Sequence, residues 1–245
     1  MDLQLLFFCV LPIVAFLYAA VGHGGASGYI ALMTLFSFPQ EVMKPTALLL
    51  NLFVAGISFF HFYRGGHFKY RLFLPFALTS IPLSFLGGTL DIDERLYKVI
   101  LGALLLFAIA RMLNLFGKQS KDLRSVNVPT ALISGALIGF LSGLIGIGGG
   151  IILSPIILLM RWGSIKEAAA VSALFIWVNS AAGMAGQIAK GVDVNTATWM
   201  MVLLAVLGGF AGAYLGSKTF NNKSLTYVLA FVLLLAVAKL FSAYA

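Results

Sequence analysis

The chain has 245 residues, of which 61% are hydrophobic and only 10% charged, with a mean hydropathy of +1.02 and a formal net charge of +8. A soluble domain carries roughly 45–50% apolar and about 25% charged residues, so a water-soluble fold is excluded and the bilayer is the expected solvent. Nucleic acid is excluded as a partner because the basic residues fall between apolar runs and form no patch or stripe, and the single cysteine, Cys9, rules out an intramolecular disulfide or a thiolate metal cluster.

Apolar runs bounded by charge, proline or glycine fall at residues 3–21, 25–38, 42–63, 70–90 and 96–116, and again at 128–145, 149–160, 167–189, 196–217 and 224–244. The N-terminus, Met1-Asp2-Leu3-Gln4-Leu5, lacks the basic start of a secretory signal, and the first run is read as a membrane segment. The polar stretch from Gly117 to Asn127 divides five runs from five. The expected organisation is an all-α polytopic membrane protein of about ten segments: a first repeat over 1–117, a cytoplasmic linker over 118–127 and a second repeat over 128–245. Pro45-Thr46-Ala47 through Asn51 is matched with Val171-Ser172-Ala173 through Asn179, and the run from Leu104 to Arg111 with that from Leu233 to Lys239.

An odd number of crossings per half makes the second copy enter from the opposite side, which is inverted topology. With the N-terminus outside, eleven basic residues fall in cytoplasmic loops, among them Arg64, Lys69, Lys118, Arg124 and Arg161. Five fall outside: Lys44, Arg95, Lys98, Lys190 and Lys239. The positive-inside rule therefore favours both termini outside.

Two glycine knots carry the functional signal. Val21-Gly22-His23-Gly24-Gly25-Ala26 is repeated, 124 residues later, as Ile145-Gly146-Ile147-Gly148-Gly149-Gly150. Each breaks an apolar run, and paired glycine interruptions in two halves point to a transporter's substrate site. Unpaired backbone is costly in hydrocarbon, so such a break survives only inside protein or beside a water-filled path. The runs after the knots are shorter than the roughly 17 residues a span requires, as half-helices of re-entrant hairpins are. Their N-termini present free N–H groups at the positive dipole end, which suits an anion. Gly22, His23, Gly24, Gly25 and Ser27 from the first knot, with Gly146, Gly148, Gly149 and Gly150 from the second, are the candidate substrate-binding residues. The competing reading, that these glycines serve only close helix packing, accounts less well for a break in both halves. Packing does account for Gly135, Gly139 and Gly143, and for Gly208, Gly212 and Gly216, which recur every four residues.

No Asp or Glu lies in the middle of an apolar run, which disfavours a carboxylate proton relay. His23 is the titratable candidate if transport is coupled to protons, and a neutral His23 that orients substrate is the alternative. Asn51 and Asn179 fall inside the third run of each half, where an amide faces either a cavity or a neighbouring helix. Ser172, Ser180 and Gln187 accompany Asn179 as a polar set, and Ser172 joins Asn51 and Asn179 among the candidates. No metal site, cofactor or catalytic group is expected.

At the second knot, Leu144-Ile145-Gly146-Ile147-Gly148-Gly149-Gly150-Ile151-Ile152-Leu153-Ser154-Pro155 resembles the motif of the sulfite exporter TauE/SafE family of membrane permeases, and the resemblance extends over nearly the whole chain. It implies export of sulfite, sulfonates or related organosulfur anions across a bacterial inner membrane. The first knot departs from the motif, with His23 and Ala26 in it and Ala31 where the motif's proline would stand. The expected partners are a small anionic solute and the lipid bilayer, and a homo-oligomer is compatible with the sequence. Two rivals belong to other classes. Gly25-Ala26-Ser27-Gly28 matches the short pattern of rhomboid-like intramembrane serine proteases, with His61 or His67 as base, and an anion channel would conduct through the same knots.

Overall fold

The computed structural model describes residues 3–20, 23–113, 123–193, 196–218 and the pairs 233–234 and 237–238. Among these the chain is entirely helical, with nine helices and no strand: α1 (Leu3–Ala20), α2 (Ala26–Leu35), α3 (Gln40–Arg64), α4 (Tyr70–Thr89), α5 (Glu94–Met112), α6 (Val128–Ile145), α7 (Gly150–Leu159), α8 (Ile165–Ala189) and α9 (Thr196–Lys218). Most of the tenth expected segment and the first half of the linker, residues 118–122, lie outside the described residues.

The helices start where local chemistry satisfies the first free N–H groups. Asn127 caps α6 by accepting from the Thr130 amide at 3.0 Å. Ser164 opens α8 with a capping box: its amide donates to the Glu167 carboxylate at 2.9 Å, and its hydroxyl accepts from the Glu167 amide at 3.4 Å. The first turn of α3 begins at Gln40, directly after Pro39. That placement corrects the loop assignment of Lys44, which sits inside α3 and is only 5% exposed.

Five helices, α3, α4, α6, α8 and most of α9, are long and apolar enough to cross a membrane. By contrast α2 and α7 have 10 residues each. At 1.5 Å per residue they rise about 15 Å, half the hydrocarbon thickness. Large apolar side chains such as Leu78, Ile133, Leu137, Leu207 and Phe210 lie exposed on the outer faces of α4, α6 and α9. On a soluble protein such a belt would aggregate; in a bilayer it meets lipid.

Three helix pairs pack backbone to backbone, α4 with α8 through Gly88, Gly183 and Gly186, and two more along glycines spaced four apart. Gly135, Gly139 and Gly143 of α6 lie on the main chain of Phe76, Ser80 and Ser84 in α4, so that a Cβ at any of the three would strike a carbonyl oxygen. Gly208 and Gly212 of α9 lie in the same way on Pro12 and Phe16 of α1. Both contacts follow from the four-residue glycine spacing. Hydrogen bonds add to the α4–α6 pair, where the Thr79 hydroxyl donates to the Leu132 carbonyl at 2.7 Å. The longest helices, α3 and α8, pack against each other at the centre, with α9 also on α3 and α4 also on α8. The half-length helices pack on these, α2 on α3 and α7 on α8.

Candidate functional site

Both knots are built by left-handed glycines. Gly25, with φ of 101°, is the residue before the first turn of α2. Gly149, with φ of 75°, does the same for α7, and Gly146, with φ of 89°, closes α6. Residues with a Cβ are strained in this region, so glycine at these positions lets a helix end and another begin within four residues. Gly22 lies outside the described residues. His23 is half-buried, and its amide donates to the Tyr18 carbonyl at 2.9 Å.

The knots meet at one side chain. A Cβ on Gly24 would stand 2.8 Å from Asn51 Oδ1, and one on Gly148 would stand 2.5 Å from Asn51 Nδ2. The carboxamide is therefore held between them, fully buried, with its oxygen toward the first knot and its nitrogen toward the second. The orientation is set by partners: Nδ2 donates to the Ile147 carbonyl at 3.4 Å and to the Ser180 hydroxyl at 3.2 Å. A carbonyl can only accept, so the nitrogen must face it. Among the described residues Asn51 Oδ1 has no donor.

Ile176 completes the contact and was missed in the sequence. Its Cγ2 would lie 2.9 Å from a Cβ on either Gly24 or Gly148, and its Cδ1 crowds Gly150. Asn51 is the twelfth residue of α3 and Ile176 the twelfth of α8, whereas Asn179 is the fifteenth. By position along the two helices Ile176, not Asn179, stands level with Asn51. Ala55 and Ser180, each sixteenth in its helix, lie against Gly24 and Gly148 respectively.

The remaining candidates turn away from this contact. Asn179 Nδ2 donates to the Phe175 carbonyl of its own helix at 2.8 Å, and its main-chain carbonyl accepts from Ser84 at 2.7 Å. Ser172 pairs with Ser154 at 2.7 Å, joining α8 to α7. Ser27 donates to the Tyr18 hydroxyl at 2.9 Å, so its partner is a phenol and not a histidine. His61, the proposed base, lies in the last turn of α3 against Phe60, Phe210 and Tyr214.

A cavity of about 400 Å³ opens where the start of α3 meets the ends of α4 and α8, lined by residues that include Gln40, Lys44, Asp91, Gln187 and Lys190. Lys44 Nζ donates to the carbonyls of Gly87 and Gly88 at 3.3 Å and of Leu90 at 3.1 Å. A cation there satisfies orphan carbonyls at the negative end of α4. Gln187 Nε2 grips the Gly88 carbonyl from the other side, and Lys190 is paired with Asp91 at the rim. Tyr97, buried in α5, donates to the Ile145 carbonyl at 3.2 Å and so holds the end of α6 just before the second knot. Charge at a helix end reads as a loop signal in sequence, which is why Lys44 was not singled out.

The family model for the sulfite exporter TauE/SafE matches residues 6–240. The chain belongs to this family. A TauE/SafE protein is a membrane transporter and not an enzyme, and this one is a multi-pass membrane protein. It is 37% identical over 235 residues to the probable membrane transporter protein y4hK of Sinorhizobium fredii, covering 93% of this chain and 94% of that one. The probable membrane transporter protein YdhB of Bacillus subtilis is 28% identical over 89% of this chain and 90% of its own. The probable membrane transporter protein MJ0441 of Methanocaldococcus jannaschii is 27% identical over 70% and 67%. No solved structure matches the chain significantly. The family and the bonding of Ser27 leave the protease reading without support.

Proposed function

We propose that this TauE/SafE protein is a secondary transporter that exports small anions, sulfite or related organosulfur compounds, across a bacterial inner membrane by alternating access. The observation that carries the reading is the meeting of Gly24 and Gly148 on Asn51, which brings the N-termini of two half-length helices to one buried point. Free N–H groups and the positive dipole ends of α2 and α7 supply anion affinity there. Such a site holds an anion loosely enough to release it, since no cation is fixed against it. Two inverted repeats are supported by the packing: exchanging α1–α4 for α6–α9 turns the α1–α9 contact into α6–α4, and the α3–α9 contact into α8–α4. The proposed orientation has both termini outside, with the solute and the bilayer as the partners.

Counterflow in proteoliposomes tests this with sulfite, sulfoacetate, thiosulfate and small carboxylates, each with and without a pH gradient. Sulfur oxyanions are expected to exchange, and Gly25→Val or Gly149→Val to abolish exchange while the protein remains inserted. Wild-type rates in both variants would remove the site. Ohmic currents far faster than carrier turnover would instead indicate a channel.

A further inference from the structure

Asn51 is the one polar side chain on which both knots close, and its two ends differ in what they have found. The nitrogen spends both of its protons, on Ile147 and Ser180, while the oxygen, fully buried, accepts from nothing among the described residues. A buried acceptor without a donor is expensive, and a native structure keeps one where a ligand or water completes it. Reversing the amide is no remedy, because Oδ1 would then face the Ile147 carbonyl. The free N–H groups at the starts of α2 and α7 are donors, and the other unpartnered groups beside the knots, Tyr29 Oη and Ser142 Oγ, are hydroxyls that can donate as readily as accept. Across from Asn51 stands Ile176, which offers neither. The knots thus offer an anion several donors, and among the described residues beside them Asn51 Oδ1 is the unpartnered atom that can only accept.

An anion without hydrogen on its head group would turn lone pairs toward Oδ1 and be repelled. An anion that carries an O–H or N–H there satisfies the amides and the acceptor together. Resting on the anion-transport reading above, we propose that the site selects monoanions bearing a hydrogen-bond donor on the charged head, such as hydrogen sulfite, over anions of the same charge and shape that lack one. Asn51 makes that choice, and the solute binds in one orientation, with its donor toward α3.

Sulfamate and methanesulfonate test this directly. Both are singly charged sulfonyl anions of nearly the same shape, and they differ in carrying NH2 or CH3 on sulfur. As competitors of labelled sulfite in counterflow, sulfamate is expected to be about tenfold the more potent in the wild type, the ratio that one regained buried hydrogen bond supports. In Asn51→Leu, which keeps the volume and removes the acceptor, the ratio should fall to about one. Equal potency in the wild type overturns the proposal, as does an unchanged ratio in the variant. If Asn51→Leu does not fold, the wild-type comparison alone decides. If the wild type exchanges no anion at all, the transport reading fails separately. The selectivity is then read from thermal stabilisation of the purified protein: a larger shift with sulfamate supports it, and equal or absent shifts overturn it.

Discussion

Gly66 and Gly148 share a left-handed backbone, with φ of 72° and 76°, but not a neighbourhood. A Cβ on Gly66 would meet nothing within 4 Å, whereas one on Gly148 would fall 2.5 Å from Asn51 Nδ2, 2.9 Å from Ile176 Cγ2 and 3.1 Å from Ser180 Oγ. Gly66→Ala therefore carries the conformational cost alone, about 1–2 kcal/mol. Gly148→Ala adds overpacking of about 1–3 kcal/mol, for a total of about 2–5 kcal/mol. Thermal unfolding in detergent, followed by tryptophan fluorescence, should show a fall in Tm for Gly148→Ala at least about twice that for Gly66→Ala, and counterflow should be lost only in the former. Ile176→Ala removes the Cγ2 atom and should recover part of the Tm in combination with Gly148→Ala, since neighbouring substitutions are not additive. Equal losses at the two glycines, or strict additivity with Ile176→Ala, would refute the claim that the knots are closed by side-chain contact.

Other outcomes follow from the charged face. Lys44→Met should insert normally but lower stability by about 1–3 kcal/mol, because the Leu90 carbonyl loses its donor and those of Gly87 and Gly88 each lose one of two; an unchanged Tm would show that water replaces it. In a Cys9→Ser background, bridging an Asp91→Cys and Lys190→Cys pair with a short bifunctional methanethiosulfonate should stop counterflow and reduction should restore it, since the ion pair ties the loop before α5 to the end of α8. Full flux with the bridge formed would mean that this face does not part during transport. The orientation is checked by impermeant thiol labelling: Gly191→Cys should react in intact cells and Gly66→Cys only after permeabilisation, and the reverse would invert the topology.

The helices were legible because lipid demands long apolar runs and glycine or charge at their ends. The run at 128–145 is α6 residue for residue, and 42–63 becomes Gln40–Arg64. The knots were legible too, since nothing but glycine repeats so plainly. Register inside the long helices was not. Matching amide to amide led to Asn179, while the fold sets Ile176 at the level of Asn51, and side-chain chemistry alone gives no sign of height along a helix. Lys44 escaped for a related reason: a lysine beside Pro45 reads as a loop, and the carbonyls that accept its protons lie more than 40 residues away.

The glycine seams bind across the two halves of the chain. The α4–α6 seam joins a helix from before the basic linker to one from after it, and so does α1–α9. At the glycines each seam is main chain against main chain, which leaves little room for a slip plane. Neither half is then a separable body. A protease nick in the linker would leave two fragments migrating as one particle, and the same halves expressed from separate messages would find each other in the membrane.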